Sequence, residues 1–178
     1  MDRIAITYIQ PRHAMWLALG VLIGCSEQSA VPSTAPLAFE VADASTFTVA
    51  ELLPLPGGTA SNAVGINNQG QVAGISNGAG LAHSHAVLWD HGAVTDLGTL
   101  PGGTYSEAYG INNQGQVVGF STGAGFSGRH AVLWDHGAVA DLGTLPGGLQ
   151  SRASGINSRG EVVGRGDAFA ILWTISRP

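Results

Sequence analysis

The sequence predicts an all-β domain made of three tandem four-stranded repeats of about 45 residues. The first observation is a Pro-Gly-Gly motif that recurs every 45 residues, at Pro56, Pro101 and Pro146. The second is a Gly-Ile-Asn motif with the same spacing, and its copies begin at Gly65, Gly110 and Gly155. The third is a series of short Val-, Ile- and Trp-rich runs interrupted by glycine and asparagine, the pattern of strands and tight turns. Four strands in a repeat of this length match one blade of a β-propeller.

Each repeat is expected to contain four strands, named a, b, c and d in chain order. The predicted ranges are Asn62–Asn67, Glu107–Asn112 and Arg152–Asn157 for strand a; Gln71–Ser76, Gln116–Ser121 and Glu161–Arg165 for strand b; His85–Trp89, His130–Trp134 and Phe169–Trp173 for strand c; and Ala93–Leu97 and Ala138–Leu142 for strand d. Both faces of strand c are apolar, so stacked sheets are expected to cover it on both sides. The last repeat has lost six residues between Gly164 and Phe169, because the motifs on either side stay in register.

Asparagine and glycine mark the turns between these strands. The motifs NNQG (67–70 and 112–115) and NSRG (157–160) are expected to join strands a and b. Glycine adopts a positive φ easily, and an asparagine side chain can bond the backbone ahead of it. The DHG motifs at 90–92 and 135–137 are expected to join strands c and d in the same way. Further glycines fall inside strand b, where a missing side chain lets a neighbouring backbone come close, at Gly74, Gly119 and Gly164.

The segment Thr46–Leu53 stands before the first Pro-Gly-Gly motif, where the other repeats have a strand d. The third repeat has no strand d of its own, so this N-terminal strand is expected to close the last blade. Three blades are fewer than the roughly four to eight of most propellers. Three alternatives stay open: a three-fold ring of one chain, six blades from two chains paired as a homodimer, and a β-trefoil or β-prism. Stacked blades are favoured, because the tandem motifs form an extensible series.

Composition excludes nucleic-acid binding as an expected function. The chain has 178 residues and a net charge of -5, and its seven basic residues are all arginines at scattered positions. Nucleic-acid binding needs clustered basic residues that displace counterions from phosphates. Charged residues make up 11% of the chain and hydrophobic residues 44%, which is the balance of a domain with a core.

The first 25 residues carry the features of a bacterial lipoprotein signal. Arg3 and Arg12 precede the apolar run Ala14–Ile23, which is too short to span a bilayer. The run leads into Leu-Ile-Gly-Cys, which resembles the lipobox, whose cysteine receives lipid when the signal is removed. The resemblance implies a signal peptide over residues 1–24, lipid attachment at Cys25 and, from Ser26, sorting to the outer membrane. The implied location is the cell envelope, facing the periplasm or the surface, and secretion is the alternative.

The Ser-, Ala- and Pro-rich residues 25–45 are expected to form a flexible tether. The β domain is then expected to occupy residues 46–178. Cys25 is the only cysteine, so no disulfide within the chain can stabilise that domain. Its stability must come from its own packing and hydrogen bonds.

Three motifs of the repeats resemble the HAF repeat, a bacterial extracellular repeat named after a His-Ala-Phe start. They are HAVLWD at 85–90, GAVTDLG at 92–98 and GINNQGQVVG at 110–119. The resemblance covers residues 47–175 and implies a secreted or surface protein with propeller-like blades and no established activity. The chain departs from the name motif, because two copies read His-Ala-Val and the third reads Phe-Ala-Ile from Phe169.

The repeated polar residues provide few candidates for catalysis. His85 and His130 begin equivalent strands, but Phe169 replaces the histidine in the third copy, so converging metal ligands are not expected. Asp96 and Asp141 are the carboxylates that a glycoside hydrolase would use, but equivalent positions give similar environments, whereas that chemistry needs different ones. No nucleophile elbow or phosphate-binding glycine loop occurs. The sequence therefore predicts a non-enzymatic protein without cofactor or metal.

The b–c loops vary most between the repeats and are the expected contact surface, because loops on a rigid scaffold carry specificity. They read NGAGLAHS at 77–84 and TGAGFSGR at 122–129, and the third copy has almost no loop. The candidate contact residues are Leu81, His83, Phe126 and Arg129. The sequence thus favours a membrane-anchored module that binds a protein or glycan. The alternatives are a carbohydrate-active propeller hydrolase and a structural unit completed by self-association.

Overall fold

The computed structural model describes residues 48–174, and within this range the chain forms eleven β-strands and no helix. The predicted signal peptide (1–24), tether (25–45) and lipid-attachment residue Cys25 lie outside the described residues. The strands are β1 (Ser61–Ile66), β2 (Val72–Ser76), β3 (His85–Asp90), β4 (Ala93–Asp96), β5 (Ser106–Ile111), β6 (Val117–Ser121), β7 (His130–Asp135), β8 (Ala138–Gly143), β9 (Ser151–Ile156), β10 (Val162–Gly166) and β11 (Phe169–Trp173). The all-β prediction is confirmed, and the eleven a–d strand ranges agree with the structure to within one residue at each end.

The strands form three antiparallel sheets, one for each repeat. Sheet 1 has the order β1-β2-β3-β4, sheet 2 the order β5-β6-β7-β8, and sheet 3 the order β9-β10-β11. In sheet 3 a two-residue turn at 167–168 replaces the eight-residue b–c loops at 77–84 and 122–129. The difference, 8 - 2 = 6, accounts for the six residues missing from the third repeat.

The hairpins between strands c and d have the positive-φ glycine that their DHG sequence predicts, and the histidine before it has a positive φ as well. His91 has φ 47° and Gly92 has φ 85°, and the equivalent pair His136 and Gly137 has 49° and 84°. Two successive positive φ values define the type I′ turn, whose twist matches that of the flanking strands. Glycine takes the second position without steric strain.

The predicted N-terminal closing strand is wrong for the part of it that the structure describes. Residues 48–53 form no strand, and sheet 3 has three strands within the described range. The segment packs on sheet 1 instead: the Leu53 carbonyl accepts a hydrogen bond from Trp89 Nε1 at 2.7 Å, and Leu52 and Leu55 pack in the same apolar cluster as Trp89. No described sheet precedes sheet 1, so no other sheet packs on its outer face. These leucines cover the apolar side chains of that face instead.

Sheet 2 is covered on both faces, as the apolar alternation of strand c predicts. Val132 and Trp134 of β7 belong to a core that includes side chains of sheet 1. Ala131 and Leu133, which alternate with them, belong to a second core that includes side chains of sheet 3. The three sheets therefore stack face to face in chain order, with sheet 2 in the middle.

Asparagine side chains join the a–b turns of successive sheets. Asn67 Nδ2 donates to the Asn112 carbonyl at 3.1 Å, and Asn112 Nδ2 donates to the Asn157 carbonyl at 3.1 Å. Within its own turn, Asn112 Oδ1 accepts hydrogen bonds from the backbone N–H groups of Gln114 and Gln116, both at 3.0 Å. The leading asparagine of each motif thus shapes its turn, and in the first two repeats it also bonds the next sheet.

Glycines in strand b permit the close backbone approach that the sequence predicts. A Cβ at Gly119 would overlap the carbonyl oxygen of Glu107 and lie 3.0 Å from the Cα of Ala108. The β5–β6 register shifts just after Ala108, so this glycine faces a β-bulge of the neighbouring strand. Gly74 and Gly164 meet the equivalent carbonyl oxygens of their own sheets.

Candidate binding face

The b–c loops lie beside the Pro-Gly-Gly turns at one end of the sheets. The Pro101 carbonyl accepts a hydrogen bond from the Ala124 N–H at 2.8 Å, which fastens the second loop to its turn. The Arg129 carbonyl accepts one from the Ser151 N–H at 2.8 Å, which ties the end of that loop to the start of β9. We call this surface the loop face: the two b–c loops, the 167–168 turn and the adjoining ends of the a and b strands.

Two of the four candidate contact residues meet on the loop face, at the ring of Tyr105. The ring centroids of His83 and Tyr105 are 5.8 Å apart. The Arg129 guanidinium carbon lies 5.4 Å from the Tyr105 centroid. His83 and Arg129 come from different b–c loops, so Tyr105 is the point at which the two loops share a neighbour.

The other two candidates anchor their own loops. Leu81 is half-buried and packs against the sheet 1 core that contains Leu55 and Trp89. Phe126 stacks on His130, with ring centroids 3.8 Å apart and an interplanar angle of 9°. The apolar surface of both side chains is therefore packed against other residues of the domain.

Two arginines lie over aromatic rings of sheet 2. The Arg129 guanidinium carbon is 4.5 Å from the Phe120 centroid, and that of Arg152 is 4.9 Å from the Tyr109 centroid. A guanidinium on an aromatic face is held in place by the ring quadrupole and keeps its positive charge. This arrangement orients two cations on the loop face and leaves them charged.

The Glu107 carboxylate accepts hydrogen bonds from two phenol hydroxyls, those of Tyr105 and Tyr109. Burial, followed by the bond to Glu107, raises the pKa of Tyr105 to about 12. Burial and then the same carboxylate also raise the pKa of Tyr109. Both phenols are therefore protonated at neutral pH and donate to the Glu107 carboxylate.

Three arginines line a cleft of about 260 Å³ where the second b–c loop meets sheet 3. The lining residues are Arg129, Gln150, Ser151, Arg152, Arg165 and Asp167. Arg152 and Arg165 stand directly opposite each other on β9 and β10. Arg165 Nη2 donates to the main-chain carbonyl of Asp167 at 3.0 Å. The fourth arginine of the described range, Arg159, lies in the a–b turn at the other end of β10 and pairs with Glu161 at 2.6 Å.

Sequence reasoning missed Arg152, Arg165 and Tyr105 as parts of this surface, because it treated the arginines as scattered singles. A partial signal was present, since Arg152 and Arg165 lie in the two strands that the NSRG turn joins, and antiparallel strands joined by a turn pair with each other. A register shift within this hairpin brings the two arginines directly opposite each other, and the sequence does not show that shift. Arg129 reaches the other two arginines only through the way in which sheets 2 and 3 stack, and a hairpin pattern in the sequence cannot predict that stacking.

The repeated histidines and aspartates form pairs within their sheets. His85 Nδ1 lies 2.9 Å from the Asp96 carboxylate, and His130 Nδ1 lies 2.8 Å from that of Asp141. Each pair joins strands c and d, and sheet 3, without a described strand d, has Phe169 at the histidine position. The two aspartates lie in different sheets, each with its own histidine. In residues 48–174 no group of three His, Cys, Asp or Glu side chains could hold a metal ion.

Equivalent tryptophans in sheets 1 and 2 differ in their hydrogen bonds. Trp89 Nε1 donates to Leu53, but the buried Trp134 Nε1 has no partner within the described residues. Gly98 is the equivalent of Leu53 in the next repeat. Its φ is 71°, and its carbonyl accepts a hydrogen bond from Ser106 Oγ at 2.8 Å instead. Trp134 borders a cleft of about 430 Å³, but its side chain is only 3% exposed. A ligand in this cleft could therefore contact only a small part of the Trp134 indole.

Comparisons with protein-family models, with curated proteins and with solved structures found no match for this chain. Among residues 48–174 no helix is long and apolar enough to cross a membrane. The chemistry of the loop face and the sequence motifs are therefore the features that bear on function.

Proposed function

We propose that this chain is a non-enzymatic, lipid-anchored repeat protein of the cell envelope whose loop face binds a protein or glycan. The observation that carries the proposal is the convergence of Arg129, Arg152 and Arg165 on one cleft. Among residues 48–174, one arginine forms an ion pair with a carboxylate, namely Arg159 with Glu161. The three arginines of the cleft have no such ion pair within that range. Concentrated charge of one sign in a cleft raises the local concentration of oppositely charged ligands.

The scaffold of this proposal is a set of propeller-like blades. Sheets 1 and 2 are four-stranded meanders, and the three sheets follow each other in chain order. Their apolar faces pack on one another, which holds the loop ends of the sheets in fixed positions. Loops on such a scaffold can recognise a partner without large conformational change.

The membrane anchor rests on the lipobox resemblance at Cys25. We expect Cys25→Ala to move the protein from the membrane fraction to the soluble fraction, because the lipid attachment that holds a lipoprotein in the bilayer needs the cysteine thiol. Fractionation followed by immunodetection measures this. The matched variant Ser29→Ala, four residues further along the chain, should stay with the membranes. Membrane retention of the Cys25→Ala protein would contradict the anchor.

The binding function is tested with the full-length protein in detergent. Immobilised protein is exposed to purified envelope polysaccharides and to extracted envelope proteins, and the bound fraction is quantified. We expect one component to bind, and Arg129→Ala to weaken it by about tenfold or more, because a charge-assisted contact contributes about 1.5–3 kcal/mol. A screen in which nothing binds would refute the binding function and leave the scaffold interpretation unaffected.

A further inference from the structure

We propose that the cleft lined by Arg129, Arg152 and Arg165, here called the arginine cleft, binds the oxyanion of a sugar-sized acid. The ligand class is a sugar carboxylate or a sugar phosphate. The assignment rests on the proposed binding function and specifies the chemistry that the loop face recognises. The placement of the charges, the fixed positions of the guanidinium groups and the size of the cleft all support it.

The strongest argument is a pair of like charges on neighbouring strands. Arg152 and Arg165 are direct cross-strand partners in sheet 3. The equivalent pairs in the other sheets carry no like charges: they are Glu107 opposite Phe120 and Asn62 opposite Ile75. Like charges that face each other across a strand pair are destabilising. An oxyanion held between the two guanidinium groups would turn this repulsion into attraction.

The guanidinium groups are positioned before any ligand arrives. Arg129 lies over Phe120, and Arg152 lies over Tyr109. Arg165 is held by its bond to the Asp167 main-chain carbonyl. Side chains that are already ordered lose little entropy when they bind, which favours affinity.

Two carboxylates lie near the arginines, and each has other hydrogen-bond partners. Glu107 accepts from both phenols of Tyr105 and Tyr109. Asp167, the acidic residue of the cleft lining, accepts from the Leu149 N–H through Oδ1 at 3.4 Å. Three positive charges and one negative charge line the cleft itself, so it keeps a net charge of 3 - 1 = +2.

The size and the polar lining suggest the body of the ligand. A volume of about 260 Å³ lies just below the usual range for ligand sites, which begins at about 300 Å³, and it suits one ring with its substituents. Guanidinium forks bind carboxylate and phosphate groups with two parallel hydrogen bonds. The side-chain amide of Gln150, also in the lining, offers a donor and an acceptor to hydroxyl groups.

The test is a calorimetric titration of the full-length protein with glucuronate, glucose phosphate, inorganic phosphate and glucose. We expect glucuronate or glucose phosphate to bind, and both glucose and inorganic phosphate to bind at least about tenfold more weakly. Arg165→Gln and Arg152→Gln should each weaken the acid by about tenfold or more, whereas Arg159→Gln, at the other end of sheet 3, should leave its affinity unchanged. Equal binding of glucose or of inorganic phosphate would overturn the sugar-acid assignment.

Thermal unfolding supplies an independent reading that also controls for misfolding. Without ligand, Arg165→Gln should melt at a higher temperature than the wild-type protein, because the cross-strand repulsion is gone. The same concentration of glucuronate or glucose phosphate should raise the melting temperature of the wild-type protein clearly more than that of Arg165→Gln. Equal ligand stabilisation of both proteins would contradict the arginine cleft. If an envelope component binds in the screen and these variants bind it normally, the cleft assignment fails while the binding function stands.

Discussion

Gly119→Ala is expected to lower the free energy of unfolding by about 3 kcal/mol, at the upper end of the range for overpacked sites. The added Cβ would overlap the carbonyl oxygen of Glu107, and it would lie 3.0 Å from the Cα of Ala108. Both neighbours are backbone atoms at a β-bulge, so no rotamer change can relieve the overlap. Such a loss is large for a domain whose total stability is about 5–15 kcal/mol. Urea unfolding followed by tryptophan fluorescence measures the change.

Gly155→Ala is the matched control for this substitution. Gly155 also lies in a strand beside a register shift, but an added Cβ there would meet Val163 Cγ2 at an ordinary 3.6 Å. We expect a change within about 0.5 kcal/mol, as for most substitutions outside special sites. Similar losses for the two variants would show that the strand b glycines are not required by close backbone approach.

The second large effect is expected at Asn112. Its side chain donates to the Asn157 carbonyl and to Gln116 Oε1, and it accepts from the backbone N–H groups of Gln114 and Gln116. Asn112 and Gln116 are both buried, so Asn112→Ala leaves polar groups without partners or water. We expect a loss of about 3 kcal/mol in unfolding free energy, since one unsatisfied buried group costs about 1–3 kcal/mol. Thermal and urea unfolding measure it.

Substitutions of two further asparagines provide comparisons for this prediction. Asn157→Ala should cost less than Asn112→Ala, because Asn157 is exposed and its Nδ2 bonds Glu161 of its own repeat. Asn68→Ala should change stability by less than about 0.5 kcal/mol, because this exposed side chain lies on the surface of its turn. An equal loss at Asn68 and Asn112 would contradict the role of the leading asparagine as turn former and link between sheets.

The strands could be predicted because their signals are local. Gly92 provides a positive φ in its turn, and Val and Trp occupy alternate positions along strand c. Turn positions and strand lengths can therefore be inferred from short segments of the sequence. The N-terminal segment shows the limit of this reasoning. Its apolar residues, among them Leu52 and Leu53, suit a strand equally well. Which sheet they cover depends on which face lies open after the repeats have stacked, and that face holds Trp89.

The candidate site was predictable in part. His83 and Arg129 were selected because they lie in the variable loops, and the structure places both at Tyr105. Arg152 and Arg165 lie in strands that carry the repeat pattern, so variation between loops did not point to them. Leu81 and Phe126 were selected by the same reasoning as His83, but apolar side chains in a loop find burial in the nearest core.

By itself, the sequence determined the number of repeats, the strands, the positions of the turns and the need for glycine inside strand b. These features depend on backbone conformation and on alternation along the chain, which act over a few residues. Only the tertiary structure decided that residues 52–55 cover sheet 1, and that Arg129 joins Arg152 and Arg165 in one cleft. These contacts follow from how separate sheets stack, and stacking depends on the shapes of whole faces rather than on any one segment.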